Sequence, residues 1–151
     1  MVRSSPLVIF GLLLALSPSA FPQSTTRISV DSAGVESDGY SSRPSFSADN
    51  RFVVFSSGGK NLVPNDTNGK TDIFVHDRLT GEVTRVSVDS QGVEGNGWSS
   101  RPSISADGRY VAFASDADNL VAGDNNFLED IFVHDRLLKT TIRVNISTQG
   151  D

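Results

Sequence analysis

Apolar residues in this chain fall in short runs separated by turn-forming residues, and nowhere do they recur at helical spacing. Four such runs follow one another. Residues 44–47 (PSFS) open with a proline, which a strand tolerates at its first position. Asp49-Asn50 then reads as a two-residue hairpin turn, because Asn accepts a positive φ. Residues 52–55 (FVVF) and 72–78 (DIFVHDR) carry apolar centres that do not alternate, so both of their faces are expected to be covered. Residues 85–89 (RVSVD) alternate apolar with polar, as a strand with one wet face does. The order predicts a four-stranded antiparallel sheet: a small inner strand, two doubly buried middle strands and a half-exposed outer one.

The same series returns at 102–105, 110–113, 130–136 and 143–147. Residues 27–84 align without a gap on 85–142, a period of 58, with 34 of the 58 positions identical. That identity marks a duplicated structural unit. A third copy begins at Arg143 (RVNISTQGD), and residues 27–31 (RISVD) stand as an orphan outer strand ahead of the first copy. Sheets covered on both faces by copies of themselves are the blades of a β-propeller. A β-sandwich would need alternation in every strand, which the middle strands lack.

The segments SRPSFSADNRFVVFSS and DIFVHDRLTGEVTRVSVD resemble the WD40-like propeller repeat of the TolB-like family. The first copy carries Pro44, Phe46, Ser47, Asp49, Arg51, Ile73–Val75, Asp77, Thr80 and Gly81 of that pattern; the second has Leu138-Lys139 in place of Thr80-Gly81. The resemblance implies an all-β fold of two four-stranded antiparallel blades, an incomplete propeller, over residues 25–151. It also implies an exported, non-enzymatic protein-binding or scaffold module. Rings close with about four to eight blades. Two blades therefore leave two expectations: a piece of a longer propeller, or several copies forming a composite ring with the 27–31 strand completing a neighbour's sheet. The faces expected to lack a neighbour carry Phe52, Val54, Tyr110 and Phe113.

Composition narrows the setting. Arg3, the apolar run 7–16 and the small residues after it read as a signal peptide over 1–20, and the run is short of the about 20 residues a spanning helix needs. Export to a secreted or periplasmic location follows, with no membrane span after cleavage. Of 13 basic residues one, Arg3, lies in this leader, so against 18 acidic residues the remainder carries a formal charge of −6. No basic cluster is present to neutralise phosphates, which argues against a nucleic-acid partner. With no cysteine, the core alone must hold the fold.

Candidate chemistry is sparse. Asp66, Asn68 and Asp72, with their counterparts Asp124, Asn126 and Asp130, place oxygen side chains at the opening spacings of a calcium loop. The fifth, sixth and twelfth positions do not fit that loop, and Asx-turn chemistry explains the same residues. Calcium is thus the only cofactor to consider. His76 and His134 repeat with their strands and read as structural. Arg43 and Arg101 precede the inner-strand prolines near the mouth of a ring, as ligand contacts or as paired structural arginines. Tyr40 and Trp98, in Gly-rich loops beside them, offer rings that stack on a sugar or a peptide, or fill the gap between blades. The partner expected of this surface is a protein or, in a lectin-like assembly of several chains, a glycan.

Overall fold

The computed structural model describes residues 25–145. Eight strands build it: β1 Ser41–Phe46, β2 Phe52–Ser57, β3 Asp72–Asp77, β4 Val83–Arg85, β5 Ser99–Ile104, β6 Tyr110–Ser115, β7 Asp130–Asp135 and β8 Thr140–Arg143. They form two four-stranded antiparallel sheets, ordered β1-β2-β3-β4 and β5-β6-β7-β8. These are two adjacent propeller blades, each drawn from one 58-residue unit and closed by the arginine that opens the next, Arg85 or Arg143. Among the described residues no helix is long and apolar enough to cross a membrane. The leader expected over residues 1–20 and residues 146–151, the end of the third copy, lie outside the described residues.

The middle strands explain the runs that do not alternate. In β2, Val53 and Phe55 point to one face and Val54 to the other, yet all three are buried. Val54, Ile73 and Val75 meet Ile104, Val111 and Phe113 of the second sheet in one apolar cluster, the seam between blades. Phe55 and Phe74 stack on the opposite face with ring centroids 5.9 Å apart, in a cluster with Leu62 and Val83 that Ile28 covers in part. Each such side chain stabilises the fold by about 1.5–3 kcal/mol through its burial. Main-chain bonds also cross the seam. Ala48 N donates to Ala106 O (2.9 Å) at one end, and Ser99 N to Thr71 O (2.8 Å) at the other.

Several expectations need correcting. The outer strands are not 85–89 and 143–147 but β4 and β8, two to three residues earlier. Val86 N still donates to Ile73 O (2.8 Å), but the ladder ends there because Ser87 Oγ, not a main-chain carbonyl, accepts the Ile73 N–H (3.0 Å) and donates to Asp72 (2.6 Å). Val86, Ser87 and Val88 are all buried, so their alternation marks two packed sides and not a wet face. Residues 27–31 form no strand either. They make a single bridge, Val30 with Glu36, and the loop that follows caps the first blade's own β4 through Ser32 Oγ at Val83 N (2.9 Å). The inner strands start earlier than 44 and 102, and each is interrupted by a bulge holding Arg43-Pro44 or Arg101-Pro102. The hairpin at Asp49-Asn50 spans residues 47–51, with Asp49 accepting from Ser47 Oγ (2.6 Å) and Arg51 N (3.0 Å). Phe52, Val54 and Phe113 belong to the seam, so of the four residues expected to lack a neighbour only Tyr110 is open.

Candidate functional site

Antiparallel order places the longer connections, residues 58–71, 86–98 and 116–129, on one edge of the blades and the short turns on the other. On the long-loop edge, the 58–71 loop of blade one meets the 86–98 connection running into blade two. Arg85 lies at the junction. Its Nη1 is 2.7 Å from Glu94 and 3.6 Å from both Asp66 and Asp72. Glu94 also accepts from Thr67, through the backbone N (3.2 Å) and a short hydroxyl bond. Three carboxylates thus share one guanidinium, and Asp66 Oδ1 and Arg85 Nε have no hydrogen-bond partner among the described residues.

The charges respond accordingly. Burial, and then the neighbouring Asp72 charge, pushes the Asp66 carboxyl up from its ordinary value. Burial raises Asp72 as well, against the hydrogen bonds from Ser87 and Asn68. For Glu94 burial acts upward, but the two Thr67 bonds and Arg85 outweigh it and hold it below. Blade two repeats the cluster with Arg143, whose Nη1 lies 2.8 Å from Asp124 and 3.3 Å from Asp130. Asn145 stands where Ser87 does, donating to Asp130 (2.6 Å) and accepting from Ile131 N (2.9 Å).

Of the calcium candidates, the structure brings Asp66 and Asp72 together but turns Asn68 away. Asn68 Oδ1 accepts from Lys70 N (2.7 Å), an Asx turn, while its amide donates to Asp72 (2.9 Å) and Gly95 O (2.8 Å). Asn126 does the same with Leu128 N (2.9 Å) and Asp130 (3.0 Å). Asp66, Asp72 and Glu94 could together present carboxylate oxygens to a cation, at the place where Arg85 already sits.

The aromatic candidates flank this junction. Trp98, 55% exposed, has Lys70 Nζ 3.8 Å from its ring centroid, so it bridges the blades as well as facing solvent. Tyr40, its counterpart, is 86% exposed. The glycines before them set this geometry, because a Cβ on Gly97 would come within 2.5 Å of Ala117 N and one on Gly39 within 2.3 Å of Gly59 N. Arg43 and Arg101 adopt φ of 55° and 52°, the left-handed region, which a residue before proline strongly disfavours. Strain repeated at one position of both blades is held by the bulge. Arg101 pairs with Glu129 (2.5 Å) of its own blade and not with its neighbour, and both arginines are exposed. His134 Nδ1 contacts Thr141 Oγ1 (2.9 Å), both histidines are buried, and burial lowers the pKa of each.

Sequence reasoning missed Arg85, Glu94, Lys70 and Ser87. The first two were legible, since arginine recurs at 27, 85 and 143 and glutamate at 36 and 94, but neither forms a familiar motif.

No family model matches the chain, and no curated protein does. Among solved structures, that of TolB from Acinetobacter baumannii is similar at 20% identity, over 75% of this chain and 23% of that one, with a TM-score of 0.48. This chain therefore spans about a quarter of that protein's length.

Proposed function

We propose that this chain is an exported, non-enzymatic propeller module whose long-loop edge docks a protein partner. The observation that carries the reading is Trp98, a half-exposed aromatic with Lys70 against its ring, three residues ahead of the strained, solvent-facing Arg101. Tryptophan and arginine are the residues most often found at binding hot spots. A non-enzymatic role is supported by the engagement of the polar groups: the junction carboxylates are tied to arginine and the histidines lie inside the sheets. Export is supported by the pattern of residues 1–20, a basic residue followed by an apolar run and small residues, which reads as a leader. Trp98 is the chain's one tryptophan, so its fluorescence reports on this edge. A partner recovered by crosslinking in the envelope should shift Trp98 emission and should be lost in a Trp98→Ala, Arg101→Ala double variant of unchanged circular dichroism. Retention of the partner by that variant would falsify the reading.

The exposed rings also support a glycan reading, in which Tyr40 and Trp98 stack on sugar faces. A glycan array distinguishes the two: a hit abolished by Trp98→Ala selects the lectin. The acidic loops serve here as latches centred on arginine. Millimolar calcium is expected to leave the melting temperature unchanged, and a rise reversed by chelator would show that calcium displaces Arg85.

A further inference from the structure

The seam between the blades shows what each outer face lacks. Blade two's far face carries the counterparts of the residues blade one buries in the seam: Tyr110 for Phe52, Ala112 for Val54, Ile131 for Ile73 and Val133 for Val75. Ile131 is 39% exposed where Ile73 is at 0%. Blade one's far face carries the counterparts of the second blade's contribution. Phe46, 51% exposed, stands where Ile104 is at 9%, and Pro44 is exposed where Pro102 is buried. Beside Phe46 lies an open apolar hollow of about 270 Å³, lined by Ile28, Pro44, Val53 and Phe55. Val53, Phe55, Leu62 and Phe74, the counterparts of Val111, Phe113, Leu120 and Phe132, are already buried, the last three within their own cluster, so the part of this face left open is the Phe46 and Pro44 end. The open parts of the two faces thus correspond to opposite sides of an interface this molecule already builds once.

We propose that these faces pair between copies of this chain, blade two of one copy seated on blade one of the next, head to tail, closing a ring of two to four copies. For copies carrying the two described blades, closure at that number follows from about four to eight blades per ring. Side-chain volumes support the pairing. Relative to the internal seam, Val54 becomes the smaller Ala112 on one face while Ile104 becomes the larger Phe46 on the other. The cation–π contact at the seam, Arg136 over Phe52 at 4.2 Å, has both partners in place again as Arg78 of one copy and Tyr110 of the other. One position is less favourable. Gly108 packs so near Phe52 that a Cβ there would lie 2.2 Å from the ring, and its counterpart on the free face is Asn50. Residues 143–145 also hold the place that 27–29 of the incoming copy would take. They are the better anchored, with Val144 N on Ile131 O (2.8 Å) and Asn145 Oδ1 on Ile131 N (2.9 Å), so the incoming end shifts aside.

Sedimentation equilibrium of the full chain should give a closed species of two to four copies that dissociates on dilution. Ile131→Arg and Phe46→Arg, each on one face, should each be monomeric alone. Mixed, they should form a one-to-one dimer, since each keeps the face the other needs; that rescue also shows that both variants fold. Asn50→Gly should lower the dissociation constant several-fold. A wild-type monomer at millimolar concentration overturns the proposal, as does self-association that survives in either arginine variant alone. Binding at Trp98 is read separately by its fluorescence, so failure of one proposal leaves the other standing.

Discussion

The heptapeptide DIFVHDR occurs in both blades with no letter changed, yet the two copies have different surroundings. In β3 all six strand residues are buried; in β7 Ile131 is exposed and Val133 half-buried. Local sequence, strand pairing and register are the same in both. What differs is the neighbour: β3 has a second blade against its Ile73–Val75 face, and β7 has no blade there among the described residues. Burial in a repeat is therefore a property of the seam and not of the strand, as expected where each unit contacts only its neighbours.

The arginine clusters give the largest test of that difference. Arg85 serves three carboxylates, one of them delivered from the connection into blade two, whereas Arg143 serves two among the described residues. Removing one partner from a buried charge cluster costs about 3–5 kcal/mol. Arg85→Ala should lose that much in urea unfolding and Arg143→Ala roughly half as much. Equal losses would show that Glu94 adds nothing to the junction. Next in size is the core pair. Ile73→Ala should cost about 2–5 kcal/mol, and Ile131→Ala, measured below the concentration of any self-association, under about 1 kcal/mol. Similar costs at both sites would mean that blade two's far face is already covered within one chain.

Acid should separate two classes of carboxylate. Asp77 and Asp135 each meet an arginine through paired bonds, Arg51 Nε and Nη2 at 3.0 and 2.7 Å and Arg109 Nε and Nη2 at 3.0 and 2.7 Å. These bonds lower both groups, Asp135 to about 2. Their contribution is complete above the unfolded value, about 3.9, and is lost as pH falls through the folded values. Asp66 and Asp72 run the other way. Burial raises them, so the native state binds their protons more tightly and gains stability as pH falls from neutral. Buried His76 and His134 oppose that gain, because burial lowers their values and the unfolded state takes up their protons first as pH falls. Urea midpoints should collapse toward pH 2. At mildly acidic pH an Asp66→Asn, Asp72→Asn double variant should lose the junction's share of the profile. An unchanged profile would exclude the buried junction as a source of pH dependence.

The smallest effect lies in the turns. Gly81 and Lys139 share one position with φ of 80° and 55°, and Gly69 and Phe127 share another with φ of 64° and 57°. The left-handed turn thus survives replacement of its glycine, at a cost of roughly 1–2 kcal/mol. Lys139→Gly or Phe127→Gly should recover about 1 kcal/mol in thermal unfolding, with no change in assembly.

Much of the architecture was legible beforehand. The run FVVF, the gapless 58-residue period and the turn residues Asp49-Asn50 implied sheets stacked on copies of themselves. The outer strands were misplaced because alternation in RVSVD has two causes that look alike in one dimension. A wet face produces it, and so does a serine that replaces a main-chain partner inside the core. Trp98 and Arg101 could be named, but not the Lys70 beneath the ring or the Glu129 beside the guanidinium, since both partners come from loops 28 residues away.

Sequence alone determined the repeating unit and its strands, because strand pairing between near neighbours depends on local pattern and short turns. Only the tertiary structure decided which faces are covered and where Arg85 is tied down. Those outcomes depend on contacts between units, and identical letters in two copies cannot encode different neighbours.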